Sequence, residues 1–208
     1  MKRIAVIGGT GMKELVSGAN FGKNGSESGD SGISISTADK LEIETEYGVV
    51  PAEVLLLNCR GEERRIFIVH RHHGNGKTTP PHLINYHANV KAAASCNPDV
   101  IISIQSVGAI DPNFPPGTVG MAEHTLDFCS DPVTFSNEDA HHADMTHHYP
   151  KHLRDLLRPI LAKQSSSNLA LDHVVSHMPG PQFETPAEIE AWSRLGATAA
   201  SMTISPEA

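Results

Sequence analysis

The sequence lacks the features that mark several large classes of protein. Its 208 residues include 16 lysines and arginines against 24 aspartates and glutamates, which gives a net charge of −8. Because nucleic-acid binding depends on clustered positive charge, this balance argues against a nucleic-acid partner. The three cysteines, Cys59, Cys96 and Cys129, are odd in number and contain no CxxC pair. Neither a zinc site nor a disulfide framework is therefore expected. Free cysteines of this kind are typical of a protein in a reducing cytoplasm.

Long hydrophobic runs are also missing. The apolar stretches Val54–Leu57, Ile66–Val69 and Val100–Ile104 have the length of β-strands, and none is long enough to cross a bilayer. The run at Arg3–Ile7 ends at Gly8 and is shorter than the apolar core of a signal peptide. With 39% hydrophobic and 19% charged residues, the composition is typical of a soluble globular protein with one sizeable core.

The sequence does contain an alternation of strand and helix patterns. Strands are predicted at 3–7, 52–58, 65–70, 99–105, 119–126, 173–177 and 198–203, and helices at 12–16, 82–95, 151–163 and 187–195. This alternation predicts an α/β fold with a mixed, mostly parallel sheet flanked by helices, in a single domain over residues 1–208. The nearly continuous apolar run Asp99–Gln105 predicts a central strand buried on both faces. The polar residues 18–39 predict an exposed loop.

The first predicted strand runs into Gly8-Gly9-Thr10-Gly11. A strand, a glycine turn and a helix start present unpaired N–H groups and a helix dipole to one spot, which favours an anion. That anion is either a cofactor phosphate or a reactant phosphate. Glu14 occupies the third glycine position of a GxxGxxG spacing, and no YxxxK pair follows, so an NAD(P) cofactor is disfavoured. A plain strand-to-helix turn is the structural alternative.

Two further polar segments follow predicted strands. His70–Gly74 contains Arg71, whose guanidinium suits a bidentate phosphate contact, next to a histidine that can donate a hydrogen bond. In Ile104–Ile110, Ser106 and the surrounding backbone N–H groups could approach an anion. Considered alone, the His70–Gly74 segment is equally typical of a solvated polar loop, and the Ile104–Ile110 segment is ambiguous.

The most specific segment is MPGPQFETPAEIEAW, Met178–Trp192. Phe183 could stack on a flat ring, and the Glu184 carboxylate could accept N–H protons from a heterocycle. Thr185 and Pro186 have the chemistry of an N-cap and a first helical residue. The alternative is a capped helix with Phe183 in the core and Glu184 exposed. Near the end of the chain, Met202 could pack under a sugar or base and Thr203 could bind phosphate.

Several histidines are concentrated at positions 141, 142, 147, 148 and 152. They suggest a metal site, but no cysteine or HExxH spacing accompanies them. A local structural or substrate-adjacent loop is favoured, and no metal is expected.

The motifs IGGTG, RHHG, NYHAN, SVGAI, GPQFETPAE and MTISPEA stand in the order seen in purine nucleoside phosphorylases and methylthioadenosine phosphorylases. Over nearly its whole length the sequence resembles this family. The resemblance implies a three-layer α/β sandwich, usually assembled as a trimer. It also implies reversible phosphorolysis, in which a purine nucleoside and inorganic phosphate give a free base and a ribose 1-phosphate, without a cofactor.

The resemblance also implies roles for individual residues. Arg71, His72 and Glu184 would be catalytic, Phe183 and Glu184 would hold the base, and Met202 would lie under the ribose. The phosphate side would be formed by Thr10, Arg71, His72, Gln105, Ser106 and Thr203. Glutamate at position 184 is the family's residue for 6-oxopurines, as in inosine or guanosine. The segments EHTLDF and HADMTHHYP look like the bacterial methylthioinosine branch, so the 5′ substituent, hydroxyl or methylthio, stays open.

The sequence departs from the family pattern at two places. RHHG has one residue more than the usual RHG, so either His72 or His73 would face phosphate. Family members also continue beyond the position of Ala208, through a strand carrying an Asp or Asn that reads the purine edge and a long helix. The chain is therefore expected to be C-terminally incomplete. An inactive homologue that binds phosphate or nucleoside is the alternative, and an NAD(P)-dependent reductase is less favoured.

Overall fold

The computed structural model describes residues 1–9, 12, 33–74, 77–129, 133–164 and 171–208. The chain divides into two compact units, Met1–Gln105 and Ser106–Ala208. The predicted mixed α/β class is confirmed, and the strands form two sheets. Most predicted elements are present with ends that differ by a few residues, whereas the helix expected at 12–16 lies, apart from Met12, outside the described residues.

The first unit is built on a five-stranded sheet. Strand β1 is parallel to β4 and β5, whereas β2, β3 and β4 pair antiparallel in sequence, giving the order β2-β3-β4-β1-β5. The strands are β1 (Arg3–Gly8), β2 (Ile33–Thr45), β3 (Gly48–Cys59), β4 (Glu62–His70) and β5 (Val100–Ile104). A 3₁₀ turn at Pro81–Leu83 precedes helix α1 (Tyr86–Ser95).

Helix α1 packs on the sheet through small side chains. Asn85 caps the helix by accepting a hydrogen bond from the N–H of Ala88 at 3.0 Å, which satisfies one of the unpaired donors of the first turn. Alanines of α1 meet apolar residues of β1, β3 and β4 in one buried cluster: Ala5, Ile7, Val50, Ala52, Val69, Ala88, Ala92 and Ala93. The small side chains let the helix backbone lie close to the strands whose ends carry the predicted site residues.

Two predictions for this unit are corrected. The loop expected over 18–39 overlaps β2, which begins at Ile33 and pairs with β3 from Ile33↔Cys59 to Thr45↔Gly48. The sequence pattern did not reveal this strand, because polar residues in its middle interrupt the alternation of apolar and polar positions. Strand β5, expected in the centre of the sheet, lies at its end, and Ile101 and Ile104 are 39% and 43% exposed. An apolar run predicts that a strand forms, but it does not predict which position the strand takes in the sheet.

The second unit contains a four-stranded sheet of order β6-β9-β8-β7, in which β7, β8 and β9 are parallel. The short strand β6 was not predicted. The elements are β6 (Gly108–Ala109), β7 (Met121–Asp127), α2 (Lys151–Gln164), β8 (Asp172–His177), α3 (Pro186–Arg194), β9 (Ala199–Ser201) and a 3₁₀ turn at Ser205–Glu207. Helix α2 is held to β7 and β8 by Arg154, which pairs with Glu123 at 2.9 Å and Asp172 at 2.7 Å.

No helix among the described residues is both long and apolar enough to span a membrane. In the same part of the chain, Cys59, Cys96 and Cys129 are thiols rather than disulfides.

Gly120, just before β7, is closely covered by aromatic rings. A Cβ atom there would lie 2.3 Å from Cδ2 of His173, which is 3% exposed and packs its ring 3.9 Å from that of Phe114. We expect Gly120→Ala to lower the free energy of unfolding by roughly 1–3 kcal/mol, because the buried rings must move. Urea titration measures this loss. Gly108→Ala is the matched control, since its nearest neighbour would be 4.0 Å away. Equal midpoints for the two variants would contradict the prediction.

Candidate active site

Among the residues of the first unit that the structure describes, Arg71 is a deeply buried charged residue, with 2% of its surface exposed. It follows β4 directly, and its guanidinium reaches the carboxyl ends of β1 and β5. It donates hydrogen bonds to the carbonyls of Ile104 and Ile7 at 3.1 and 3.3 Å and to the Ser103 hydroxyl at 2.9 Å. These three acceptors are neutral oxygens, and they orient the guanidinium at the ends of the two strands.

The glycine turn after β1 makes room for this guanidinium. A Cβ atom on Gly9 would lie 3.1 Å from Nη1 of Arg71, and glycine avoids that contact. The N–H of Arg71 donates to the carbonyl of Gly8 at 2.9 Å, which ties the turn to the end of β4. The first glycine segment and Arg71 are thus neighbours, as a shared anion site requires. Thr10, the predicted hydroxyl of this segment, lies outside the described residues.

Gln105 is linked to the Arg71 guanidinium through the Ser103 hydroxyl. Its side-chain amide donates to the Ser103 hydroxyl at 2.9 Å, and that hydroxyl also accepts from Arg71. Ser103 was not among the predicted site residues. The only available signal was a single polar residue in the otherwise apolar run of β5. Ser106, the next predicted residue, is exposed and begins the second unit.

The two candidate phosphate histidines are each held by a different partner. Nδ1 of His72 lies 2.8 Å from the carbonyl of Thr79, and Nε2 of His73 lies 2.9 Å from Oδ1 of Asn89. The Asn89 amide also donates to the carbonyl of Arg71 at 3.0 Å. His73 is therefore fixed to helix α1 through a fully buried asparagine. His72 is fixed through its Nδ1 to the loop after β4, and both histidines remain candidates.

A third histidine contact in this unit was not predicted. Nε2 of His70 lies 3.2 Å from Oε1 of Glu53 on the neighbouring strand β3. The pair depends on cross-strand register, which places β3 beside β4. No local sequence pattern indicates this pair, because its two residues lie 17 positions apart.

In the second unit, the Met178–Trp192 segment has the predicted capping. The N–H of Glu188 donates to Oγ1 of Thr185 at 3.3 Å, and the N–H of Thr185 donates to the Glu188 carboxylate at 2.7 Å. This capping box starts α3 with Pro186 at its first position. Phe183 is 83% exposed, so the alternative that placed it in the core is wrong. Glu184 beside it is half-buried.

Met202 and Thr203 follow β9 at its carboxyl end. Thr203 is buried, and its N–H donates to the Ser201 hydroxyl at 3.2 Å. Ile204 packs into an apolar cluster with Phe114, Val175 and Ala199. This packing holds the chain that follows β9 against the second sheet. Met202 is half-buried.

The histidine-rich segment lies between β7 and α2. Nε2 of His148 lies 3.3 Å from the Thr125 hydroxyl, and its ring packs on Tyr149 with centroids 4.4 Å apart. Over the described part of the chain, no three His, Cys, Asp or Glu side chains converge as a metal-binding group.

Comparison with protein families identifies the class to which the chain belongs. Residues 3–208 match the model of the phosphorylase superfamily. The match covers nearly the whole chain, and the chain therefore belongs to this superfamily.

Named relatives and solved structures agree with this assignment. A probable S-methyl-5′-thioinosine phosphorylase of Methanothermobacter thermautotrophicus is 34% identical over 99% of the chain and 64% of its own length. A 6-oxopurine nucleoside phosphorylase of Pyrococcus furiosus is 31% identical over 100% of the chain and 73% of its own length. Methylthioadenosine phosphorylase of Schistosoma mansoni shares the fold, with a TM-score of 0.76 at 19% identity over 100% of the chain and 74% of that structure. The chain spans slightly less than two thirds of the methanobacterial relative.

Proposed function

We propose that the protein catalyses phosphorolysis of a purine nucleoside to the free base and a ribose 1-phosphate. The observation that supports this most directly is Arg71, a buried guanidinium aimed at the carboxyl ends of β1 and β5 by neutral oxygens. Such a group favours an anion that can approach it. The relatives named above act, by their names, on methylthioinosine or 6-oxopurine nucleosides.

Phosphate is the nucleophile in this proposal. The residues proposed to bind it are those that the family resemblance implies: Thr10, Arg71, either His72 or His73, Gln105, Ser106 and Thr203. No cofactor takes part. The C1′–N9 bond lengthens first, and its electron pair moves onto the purine. The sugar becomes oxocarbenium-like, and the nearby phosphate dianion stabilises that charge. A phosphate oxygen then bonds to C1′. Because both reactants are bound, positioning and electrostatics supply most of the rate enhancement.

Glu184 and Phe183 define the base side. The Glu184 carboxylate accepts a hydrogen bond from the N1–H of a 6-oxopurine and so holds the departing base in place. The purine that leaves with the N9 electron pair takes up a proton from water and becomes the neutral free base. Adenine lacks a proton on N1, so the same carboxylate disfavours it. Phe183 stacks on the purine, and Met202 lies under the ribose. These roles make inosine, guanosine or methylthioinosine the substrate class. Purine salvage in the cytoplasm, by a trimer, is the proposed setting.

The test is release of hypoxanthine from inosine and from 5′-methylthioinosine, measured with and without phosphate. We expect release only when phosphate is present. The ratio of kcat/KM for the two nucleosides then assigns the 5′ substituent. Release that is equally fast without phosphate would show a hydrolase instead, and no release from any purine nucleoside would support the inactive homologue.

A further inference from the structure

A single buried side chain joins Arg71 to one of the two candidate phosphate histidines. Asn89, in the first half of helix α1, has no exposed surface. Its amide nitrogen donates a hydrogen bond to the carbonyl of Arg71 at 3.0 Å, and its Oδ1 lies 2.9 Å from Nε2 of His73. Asn89 touches neither phosphate nor nucleoside in the proposed mechanism, so any contribution to the reaction must come through these two neighbours.

The chemistry of the two contacts determines how the Asn89 amide is oriented. The carbonyl of Arg71 can only accept a hydrogen bond, so the group that faces it must be the NH2 group of Asn89. Oδ1 therefore faces His73. Because this oxygen also can only accept, Nε2 of His73 must carry a proton. In the neutral imidazole, Nδ1 then carries none, and Asn89 thus sets both the orientation and the tautomer of the His73 ring.

Both backbone polar groups of Arg71 are held at the end of β4. Its N–H donates to the carbonyl of Gly8 at 2.9 Å, and its carbonyl accepts from the Asn89 amide. Loss of that amide would take a hydrogen-bond donor away from a buried carbonyl, and the cost of an unpaired buried acceptor favours movement of the backbone. A displacement of about 1 Å is enough to weaken a site whose groups must be aligned with the reactants.

We propose that Asn89 is a positioning residue, which holds the backbone of Arg71 and the ring of His73 in the arrangement that binds phosphate. The same geometry selects His73 over His72 as the phosphate histidine, because the His73 ring shares a buried partner with Arg71. Nδ1 of His72 instead lies against the carbonyl of Thr79 in its own loop. This inference rests on the proposed function.

The first test compares Asn89→Leu with Asn89→Ala. Both changes remove the two hydrogen bonds, but leucine keeps the volume of the side chain, so an effect that both variants share comes from the hydrogen bonds and not from a cavity. Circular dichroism checks that each variant is folded. We expect both variants to raise the KM for phosphate, and the Kd for inorganic phosphate measured by calorimetry, roughly tenfold, while the KM for the nucleoside stays within about twofold.

Ala93→Gly is the matched control on the same helix. Ala93 is buried in the apolar cluster under α1, and glycine in a helix interior lowers stability. The change leaves the side chain of Asn89 in place, so urea titration should show a lower midpoint while phosphate binding equals that of the wild type. An equal loss of phosphate binding in Ala93→Gly and Asn89→Leu would show a general effect of destabilisation and would overturn the proposal.

Nitrogen NMR of the wild type provides a readout that needs neither a variant nor turnover. We expect the neutral His73 ring to carry its proton on Nε2, and we expect inorganic phosphate to shift the Nδ1 resonance, because a bound anion favours the protonated ring. A proton on Nδ1 instead, or a His73 resonance that phosphate leaves unchanged, would overturn the proposal. So would a folded Asn89→Leu protein with wild-type affinity for phosphate. If the wild type binds phosphate but releases no base, the proposed function fails, while the Kd and the NMR result still decide the role of Asn89.

Discussion

Replacing Arg71 with methionine is expected to lower kcat/KM for phosphate by roughly 10³-fold. The guanidinium is buried and already oriented by Ile7, Ser103 and Ile104, so little reorganisation is needed when phosphate binds. Methionine has a similar length but supplies neither charge nor donors. Steady-state kinetics at several phosphate concentrations measure the loss.

Arg65→Met is the matched control for this prediction. Arg65 lies on the same strand β4, but it is 53% exposed and pairs with Glu63. We expect its kinetics to equal those of the wild type, because an exposed ion pair contributes little. Circular dichroism of both variants separates loss of catalysis from loss of folding. A folded Arg71→Met protein with unchanged phosphate dependence would remove Arg71 from the site.

Replacing Glu184 with alanine is expected to lower kcat/KM for inosine by roughly 10²- to 10³-fold, because the N1–H of the leaving base loses its acceptor. The value for adenosine should change far less, since adenine offers no proton to this carboxylate. The ratio of the two substrates should therefore fall. Competition between inosine and adenosine in one reaction measures that ratio directly.

Glu190→Ala is the control for the Glu184 variant. Glu190 lies on the exposed side of α3, where it pairs with Arg194 one turn along the helix. Its removal should leave both substrates unaffected. An unchanged inosine-to-adenosine ratio in Glu184→Ala would show that position 184 does not read the base.

Local patterns predicted those parts of the fold and site that depend on neighbours in sequence. The strand that leads into Gly8 is an example, because it was predicted over 3–7 and spans Arg3–Gly8 in the structure. The capping box at Thr185 and Glu188 is another, because its two partners lie three residues apart. The position of Arg71 at the end of a strand also followed from the pattern alone.

Features that depend on distant parts of the chain were not predictable in this way. Strand β5 has the composition of a central strand, but its place at the sheet end is set by pairing with β1. The hydrogen bonds of Asn89 to His73 and Arg71 join a helix to a loop 16 and 18 residues earlier. The pairing of Asp127 with His177 depends on the register of β7 and β8, which no single segment encodes.

The most direct test of the account is the stoichiometry of the reaction. Phosphorus NMR follows inorganic phosphate and sugar phosphate while absorbance follows free purine in the same sample. We expect one phosphate to disappear, and one ribose 1-phosphate or methylthioribose 1-phosphate to form, for each purine released. Purine release with no loss of phosphate would contradict it.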